Sequence, residues 1–211
     1  YNIHMNKINI LNKSISAGML ISIGSVVKLQ CSNQIVGAIL FSIGLFFICS
    51  FSMYLFTGKI AYINKNNWHD YPVIWFGNLI GCILSAILIR LANPNITEIS
   101  EKIINQKFCI NLFSISILAF FCGMIMYLSV DNYKSSNSDI SKVFGIVIGV
   151  TVFLLCGFEH SIADMSYISL GIKNINDIPY SALFLITVSL FNALGSLFIK
   201  YLLTTRCRRN N

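Results

Sequence analysis

The chain has 211 residues, of which 55% are apolar and only 11% charged. Soluble domains carry about 25% charged residues, so this composition excludes an ordinary soluble domain. The formal charge of +7 would suit nucleic acid, but its distribution beside apolar blocks suits lipid headgroups, and nucleic acid is not expected as a partner.

A spanning helix needs about 20 mostly apolar residues. That ruler predicts spans near residues 10–29, 34–57, 72–92, 108–130, 143–172 and 180–204, joined by short connections. The whole chain, 1–211, is therefore expected to be one transmembrane channel domain in a lipid bilayer. Residues 1–13 would be an N-terminal cytoplasmic segment and 205–211 a basic cytoplasmic tail. The first apolar stretch follows a basic start without a cleavage pattern and reads as a span rather than a signal peptide. The chain opens at Tyr1 with His4-Met5 following, as a trimmed start would.

With the N-terminus inside, the inner segments hold Lys7, Lys13, Lys59, Lys65, Lys134, Lys142, Lys200, Arg206, Arg208 and Arg209. The outer segments hold Lys28, Arg90, Lys102, Lys107 and Lys173. Ten against five puts both termini in the cytoplasm of a multi-pass protein of the cell inner (plasma) membrane. Seven cysteines, Cys31, Cys49, Cys82, Cys109, Cys122, Cys156 and Cys207, form no CxxC. They read as small buried hydrophobes, with neither a disulfide framework nor a zinc site.

The two halves echo each other. Phe76-Gly77-Asn78-Leu79-Ile80-Gly81 in the third span is similar to Phe191-Asn192-Ala193-Leu194-Gly195 in the sixth. Ala17-Gly18 and Cys122-Gly123 sit at matching points of the first and fourth. The second span is interrupted at Phe56-Thr57-Gly58 and the fifth at Gly157-Phe158-Glu159-His160-Ser161. An odd number of spans per half forces opposite orientations, so three plus three predicts an inverted repeat, and paired interruptions point to a transport site. The same residues could be loop ends or small-residue packing seams, and Thr57, near the end of its span, is open to either reading.

His160 is the most informative side chain, because ionisable groups within a span face the protein interior or a water cavity. It serves either as a pore group or as a hydrogen-bonded brace for the break. Glu159, about 100° round a helix from His160, is read as tying down the loop or a subunit contact. Asp164 follows His160 by four residues, yet no third ligand joins them, so a metal site and an enzyme are not expected, and no cofactor is implied. Lys107, at the start of the fourth span, is either a snorkelling lysine or a cation that gathers anions at a vestibule. Lys59, Lys102 and Lys142 read as solvated loop charges. Phe41, Leu45 and Phe153 pack the interrupted spans or form dry constrictions.

Ala17-Gly18-Met19-Leu20-Ile21-Ser22-Ile23, Leu55-Phe56-Thr57-Gly58, Phe76-Gly77-Asn78-Leu79-Ile80-Gly81 and Gly157-Phe158-Glu159-His160-Ser161-Ile162-Ala163 occur in that order. The set resembles the signature segments of the formate/nitrite transporter family of formate, nitrite and hydrosulphide channels, from about Lys13 to Tyr201. The resemblance implies an all-α, aquaporin-like protomer of six helices, broken in the second and fifth, assembled as a homo-pentamer with one pore per protomer. Its partners would be small monovalent anions. It assigns His160 as the central pore histidine, through which conduction is expected to depend on pH, Thr57 as its hydrogen-bonding threonine, and Lys107 as the lysine of the outer vestibule. Phe41, Leu45, Leu55 and Phe153 fall at its apolar constrictions, and Glu159, Gly58, Asn78 and Asn192 support the breaks.

Three positions depart from the family pattern. Tyr54 stands where glutamate is usual, Gly123 where a pore-side asparagine is common, and Asp164 where asparagine follows Ser-Ile-Ala. Gly123 is expected to open space and remove a donor, and Asp164 to add negative charge near the anion path. The short chain and brief outer loops suit the hydrosulphide branch. A proton-coupled transporter using the same histidine is the alternative reading. A neutral-solute channel is disfavoured, since the Asn93-Pro94-Asn95 run lies in a loop.

Overall fold

A computed structural model describes residues 7–207, with the side chains of Arg206 and Cys207 left out of account. His4, Met5, Arg208 and Arg209 lie outside the described residues. The helices are α1 (Lys7–Gln30), α2 (Gln34–Ser50), α3 (Phe56–Lys59), α4 (Asp70–Ala92), α5 (Asn95–Phe108), α6 (Leu112–Ser135), α7 (Asp139–Leu155), α8 (Ser161–Gly171) and α9 (Ile178–Cys207). No strand occurs among the described residues.

Helices α1, α4, α6 and α9 are each long and apolar enough to cross a membrane, and α2 is a shorter apolar helix. Their outward faces are greasy: Phe76, Ile83, Ile87 and Leu88 of α4 and Ile186 and Leu190 of α9 are exposed. Their inward faces are small and polar, with Ser14, Ser22, Asn78, Asn192 and Ser196 fully buried. This inside-out pattern fits lipid, which offers no hydrophobic drive between helices and leaves close packing and hydrogen bonds to hold them together.

Glycines set that closeness. A Cβ on Gly18 of α1 would stand 2.1 Å from the carbonyl oxygen of Asn78 in α4, and one on Gly81 equally near that of Ile15. In the other half a Cβ on Gly123 of α6 would meet the Asn192 carbonyl at 2.0 Å, and one on Gly195 the Phe120 carbonyl at 1.9 Å. Gly123 is thus a packing contact with α9, correcting the expectation that it opens space beside the pore.

The helix boundaries refine the hydropathy ruler at four places. The region 143–172 is two helices, α7 and α8, separated at residues 156–160, within one residue of the interruption read from the sequence. The interruption after α2 lies at Phe51–Leu55, ahead of Phe56-Thr57-Gly58, which form the turn of α3. Residues 95–108, expected as connection, form α5. Its Ile96, Ser100 and Ile104 recur at helical spacing and are buried, with Ser100 Oγ donating to the Tyr167 carbonyl of α8 at 2.8 Å. N-terminally, helix α1 already begins at Lys7, within the stretch expected as a cytoplasmic segment.

Candidate functional site

Both breaks are built alike. After α2, Ser52 N–H donates to Cys49 O (3.2 Å) and Met53 N–H to Ile48 O (2.9 Å). After α7, Gly157 N–H donates to Leu154 O (3.4 Å) and Phe158 N–H to Phe153 O (2.9 Å). Each is a helix C-terminus closed by a left-handed residue, Ser52 at φ 51° and Gly157 at φ 66°.

Each restart is held by one buried asparagine. Asn78 Nδ2 donates to the carbonyls of Ser14 and Tyr54, both at 2.8 Å, while its Oδ1 accepts from Phe56 N–H at 2.9 Å. Asn192 Nδ2 donates to the carbonyls of Ala119 and Glu159, both at 2.8 Å, while its Oδ1 accepts from Ser161 N–H at 2.9 Å. These bonds satisfy backbone groups that lipid cannot. They also explain why the helices resume at Phe56 and Ser161, three residues and one residue earlier than the sequence suggests.

The restarts bring Thr57 and His160 together. Thr57 Oγ1 lies 2.8 Å from His160 Nε2, with Thr57 fully buried and His160 only 2% exposed. His160 is also the N-cap of α8, its Nδ1 accepting from Ala163 N–H at 3.1 Å. Accepting at Nδ1 leaves the proton of a neutral ring on Nε2. Nε2 therefore donates to Thr57 Oγ1, and the threonine keeps its own O–H as a free donor.

Apolar residues enclose this pair. Phe153 stacks on the His160 ring (centroids 5.4 Å apart) and meets Phe41 edge-on at 5.9 Å. Phe41, Leu45, Leu55 and Phe153 are each 1% exposed. Gly58, next to Thr57, is buried, and a Cβ there would stand 3.2 Å from Val130.

A cavity lies on either side. One, of about 400 Å³, is lined by Lys28, Lys107, Gly157, Phe158, Glu159 and Tyr167, among others. Lys107 stands at the end of α5 rather than at the start of the next span. Its ammonium is ion-paired with Glu159 and lies 3.0 Å from Asp164 Oδ1. Formally this cluster holds one carboxylate more than it holds cations. The second cavity, of about 470 Å³, reaches Leu45 and Leu55 and is lined by Lys59, Lys134 and Lys142. Sequence reasoning assigned Lys59 and Lys142 to solvated loops and gave Lys134 no part in a site. Nothing local in the sequence marks this cavity, which four helices enclose.

A family model described as formate/nitrite transporter matches residues 1–205. The chain is 28% identical over 188 residues to the formate channel FocA of Escherichia coli (strain K12), covering 75% of this chain and 65% of FocA. It thus spans about two thirds of that relative's length. It is 30% identical over 125 residues to the uncharacterized transporter YwcJ of Bacillus subtilis (strain 168), covering 53% of this chain and 49% of YwcJ. Among solved structures, a pentameric formate channel with formate bound superposes with a TM-score of 0.78 at 20% identity, over 94% of this chain and 97% of that one. An FNT family ion channel gives a TM-score of 0.78 at 20% identity, over 92% and 86%. At these identities the two structures establish likeness of fold.

Proposed function

This chain belongs to the formate/nitrite transporter family, and on that premise we propose that it is a homo-pentameric channel for small monovalent weak-acid anions. Hydrosulphide, formate and nitrite are the candidate substrates. The protomer would be a single channel domain in the cell inner (plasma) membrane with both termini cytoplasmic. Helices α2 with α3, and α7 with α8, would serve as its two broken spans, making six in all. The matched asparagine circuits and the matched left-handed residues support reading the halves as an inverted repeat of the aquaporin kind.

One observation carries the functional reading: the Thr57–His160 contact of 2.8 Å lies between two lysine-bearing cavities and is walled by apolar side chains. Stripping water from an ion costs several kcal/mol even in a relaxed protein. Formate, nitrite and hydrosulphide are conjugate bases of weak acids, and an apolar surrounding favours their neutral forms. Cations at the mouths raise the local anion concentration. The anion takes a proton from hydronium in the mouth as it enters the apolar slit, crosses as the neutral acid, and returns the proton to water beyond it, so anion and proton cross together. The free O–H of Thr57 offers a hydrogen bond midway, with the neutral His160 ring fixing that hydroxyl's direction. In this scheme His160 keeps its proton, because protonating Nδ1 would break the cap on α8.

The test is anion flux into proteoliposomes, comparing formate, nitrite, hydrosulphide and chloride from about pH 5 to pH 8, the range in which histidine ordinarily titrates. Preference for one weak-acid anion over chloride, with flux falling as pH rises, supports the reading. Glycerol permeation without anion flux would overturn it. Saturation with counter-flow would move the chain to a proton-coupled transporter.

A further inference from the structure

We propose that the cavity lined by Lys59, Lys134 and Lys142 binds a multivalent oxyanion of the phosphate class, which plugs the pore from that mouth; the plugging, though not the binding, rests on the channel reading above. The cavity has a volume of about 470 Å³ and reaches the buried side chains of Leu45 and Leu55. A single water occupies about 30 Å³ in the liquid, so the space takes an anion far larger than formate. Ser52, Tyr133, Ser136 and Asn137 add hydroxyl and amide groups to its wall.

Cations dominate there. Lys59 of α3 lies over the Tyr54 ring at 4.4 Å, and Lys134 of α6 over the Tyr62 ring at 3.6 Å. Lys13 of α1 and Lys200 of α9 stand behind them, 5.7 Å from the Tyr54 ring and 5.1 Å from the Tyr62 ring. Three carboxylates lie against this set, one of them Asp70 of α4, which lines an adjoining cavity with Lys59 and Lys134. Asp139 of α7 bridges Lys142 at 2.9 Å but is itself 94% exposed. Asp131 of α6 accepts the Tyr62 hydroxyl at 2.6 Å.

The opposite cavity differs. There two lysines, Lys28 and Lys107, face two carboxylates, Glu159 and Asp164, both paired with Lys107, so that mouth is formally balanced where this one carries a cationic excess. A balanced mouth gathers a monovalent anion weakly, and three cations around one cavity suit two or more negative charges. Lysine ammonium groups bind phosphate oxygens as point charges, and a ligand lodged against Leu45 and Leu55 would block the entrance to the apolar slit.

The experiment uses the full chain in detergent, titrated calorimetrically with inorganic pyrophosphate at low salt. Saturable binding is expected, weakened about ten-fold or more by Lys59→Gln with Lys134→Gln, as loss of two cations facing a multivalent anion requires. Arginine at both positions should restore it, and Lys102→Gln, outside the cavity, should leave it unchanged. Absence of saturable binding, or binding indifferent to the double glutamine variant, overturns the site. In proteoliposomes, pyrophosphate should slow formate flux through the wild type and not through the double variant. Binding without slowed flux overturns the plug, and a chain that conducts no anion still reports on the site through calorimetry. Phosphatidic acid micelles form a separate arm. Binding of the lipid at these lysines without binding of pyrophosphate would assign them to a headgroup and overturn the plug.

Discussion

Ser52 and Gly157 occupy the same left-handed backbone conformation, φ 51° and φ 66°, each two residues beyond the end of the helix preceding a break. Glycine adopts this conformation freely, whereas another L-residue pays about 1–2 kcal/mol. Replacing Ser52 by Gly should therefore stabilise the protein by about 0.5–1 kcal/mol, the gain in backbone strain being partly offset by unfolded-state entropy. Replacing Gly157 by Ala should cost about 1 kcal/mol, since nothing lies within 4 Å of the added Cβ. Thermal unfolding in detergent should rank Ser52→Gly above the wild type and Gly157→Ala below it.

Asn78 and Asn192 support a different prediction, because each satisfies one N–H and two carbonyls at a buried restart. Removing one partner leaves buried backbone groups unpaired at about 1–3 kcal/mol each. Asn78→Ala and Asn192→Ala should each lower stability by several kcal/mol on that basis. Asp at either position keeps the acceptor and loses both donors, so it should rescue little. Melting temperature and the yield of folded protein on size exclusion check this; an alanine variant as stable as the wild type would remove the asparagines from the bracing role.

The long spans were legible because runs of apolar residues need no tertiary information, and α4 and α6 lie close to the stretches the ruler gives. Helix α5 was not, because its apolar residues alternate with Glu98, Glu101, Lys102 and Asn105 and never make a long run. The breaks were legible as polar interruptions, the one before α8 to within a residue and the one before α3 several residues late, since their restarts are held by Asn192 and Asn78 on other helices. Of the site, His160 stood out as an ionisable group inside an apolar block. Its neighbour Asp164 suggested a metal ligand only by spacing, whereas its carboxylate partners Lys107 across the fold. Lys59 and Lys142 looked like loop charges for the same reason: the cavity they line exists only once four helices are assembled.

Asp164 offers a charge test at the other mouth. Its Oδ1 lies 3.0 Å from Lys107 Nζ, and its Oδ2 is buried without a hydrogen-bond partner. Asp164→Asn keeps the shape, removes the extra carboxylate and leaves Lys107 paired with Glu159 alone. Anion flux from that mouth should rise about two- to ten-fold at low ionic strength, as expected where fixed charge steers an ion. The gain should shrink near 1 M salt, where the screening length falls to about 3 Å. Flux that is unchanged at low salt would show that charge at this cluster does not reach the permeating ion.

The Thr57 hydroxyl can be separated from the histidine that directs it. Thr57→Val preserves shape and removes the O–H, leaving His160 Nε2–H without its acceptor. A hydrogen bond to a neutral acid contributes about 0.5–1.5 kcal/mol, so anion flux should fall roughly two- to ten-fold. Thr57→Ser should retain most of it. His160→Phe removes both the cap on α8 and the Nε2–H, so it should lower flux and stability together, where Thr57→Val lowers flux more than stability. The pH profile discriminates further. If the neutral acid is the permeant species and His160 stays neutral throughout, flux at fixed total anion falls with rising pH in the wild type and in Thr57→Val alike, parallel on a logarithmic scale. A profile that flattens in His160→Phe while the variant still conducts would mean that the ring itself titrates during transport, and the fixed-donor role of the Thr57–His160 pair would give way to proton transfer by the histidine.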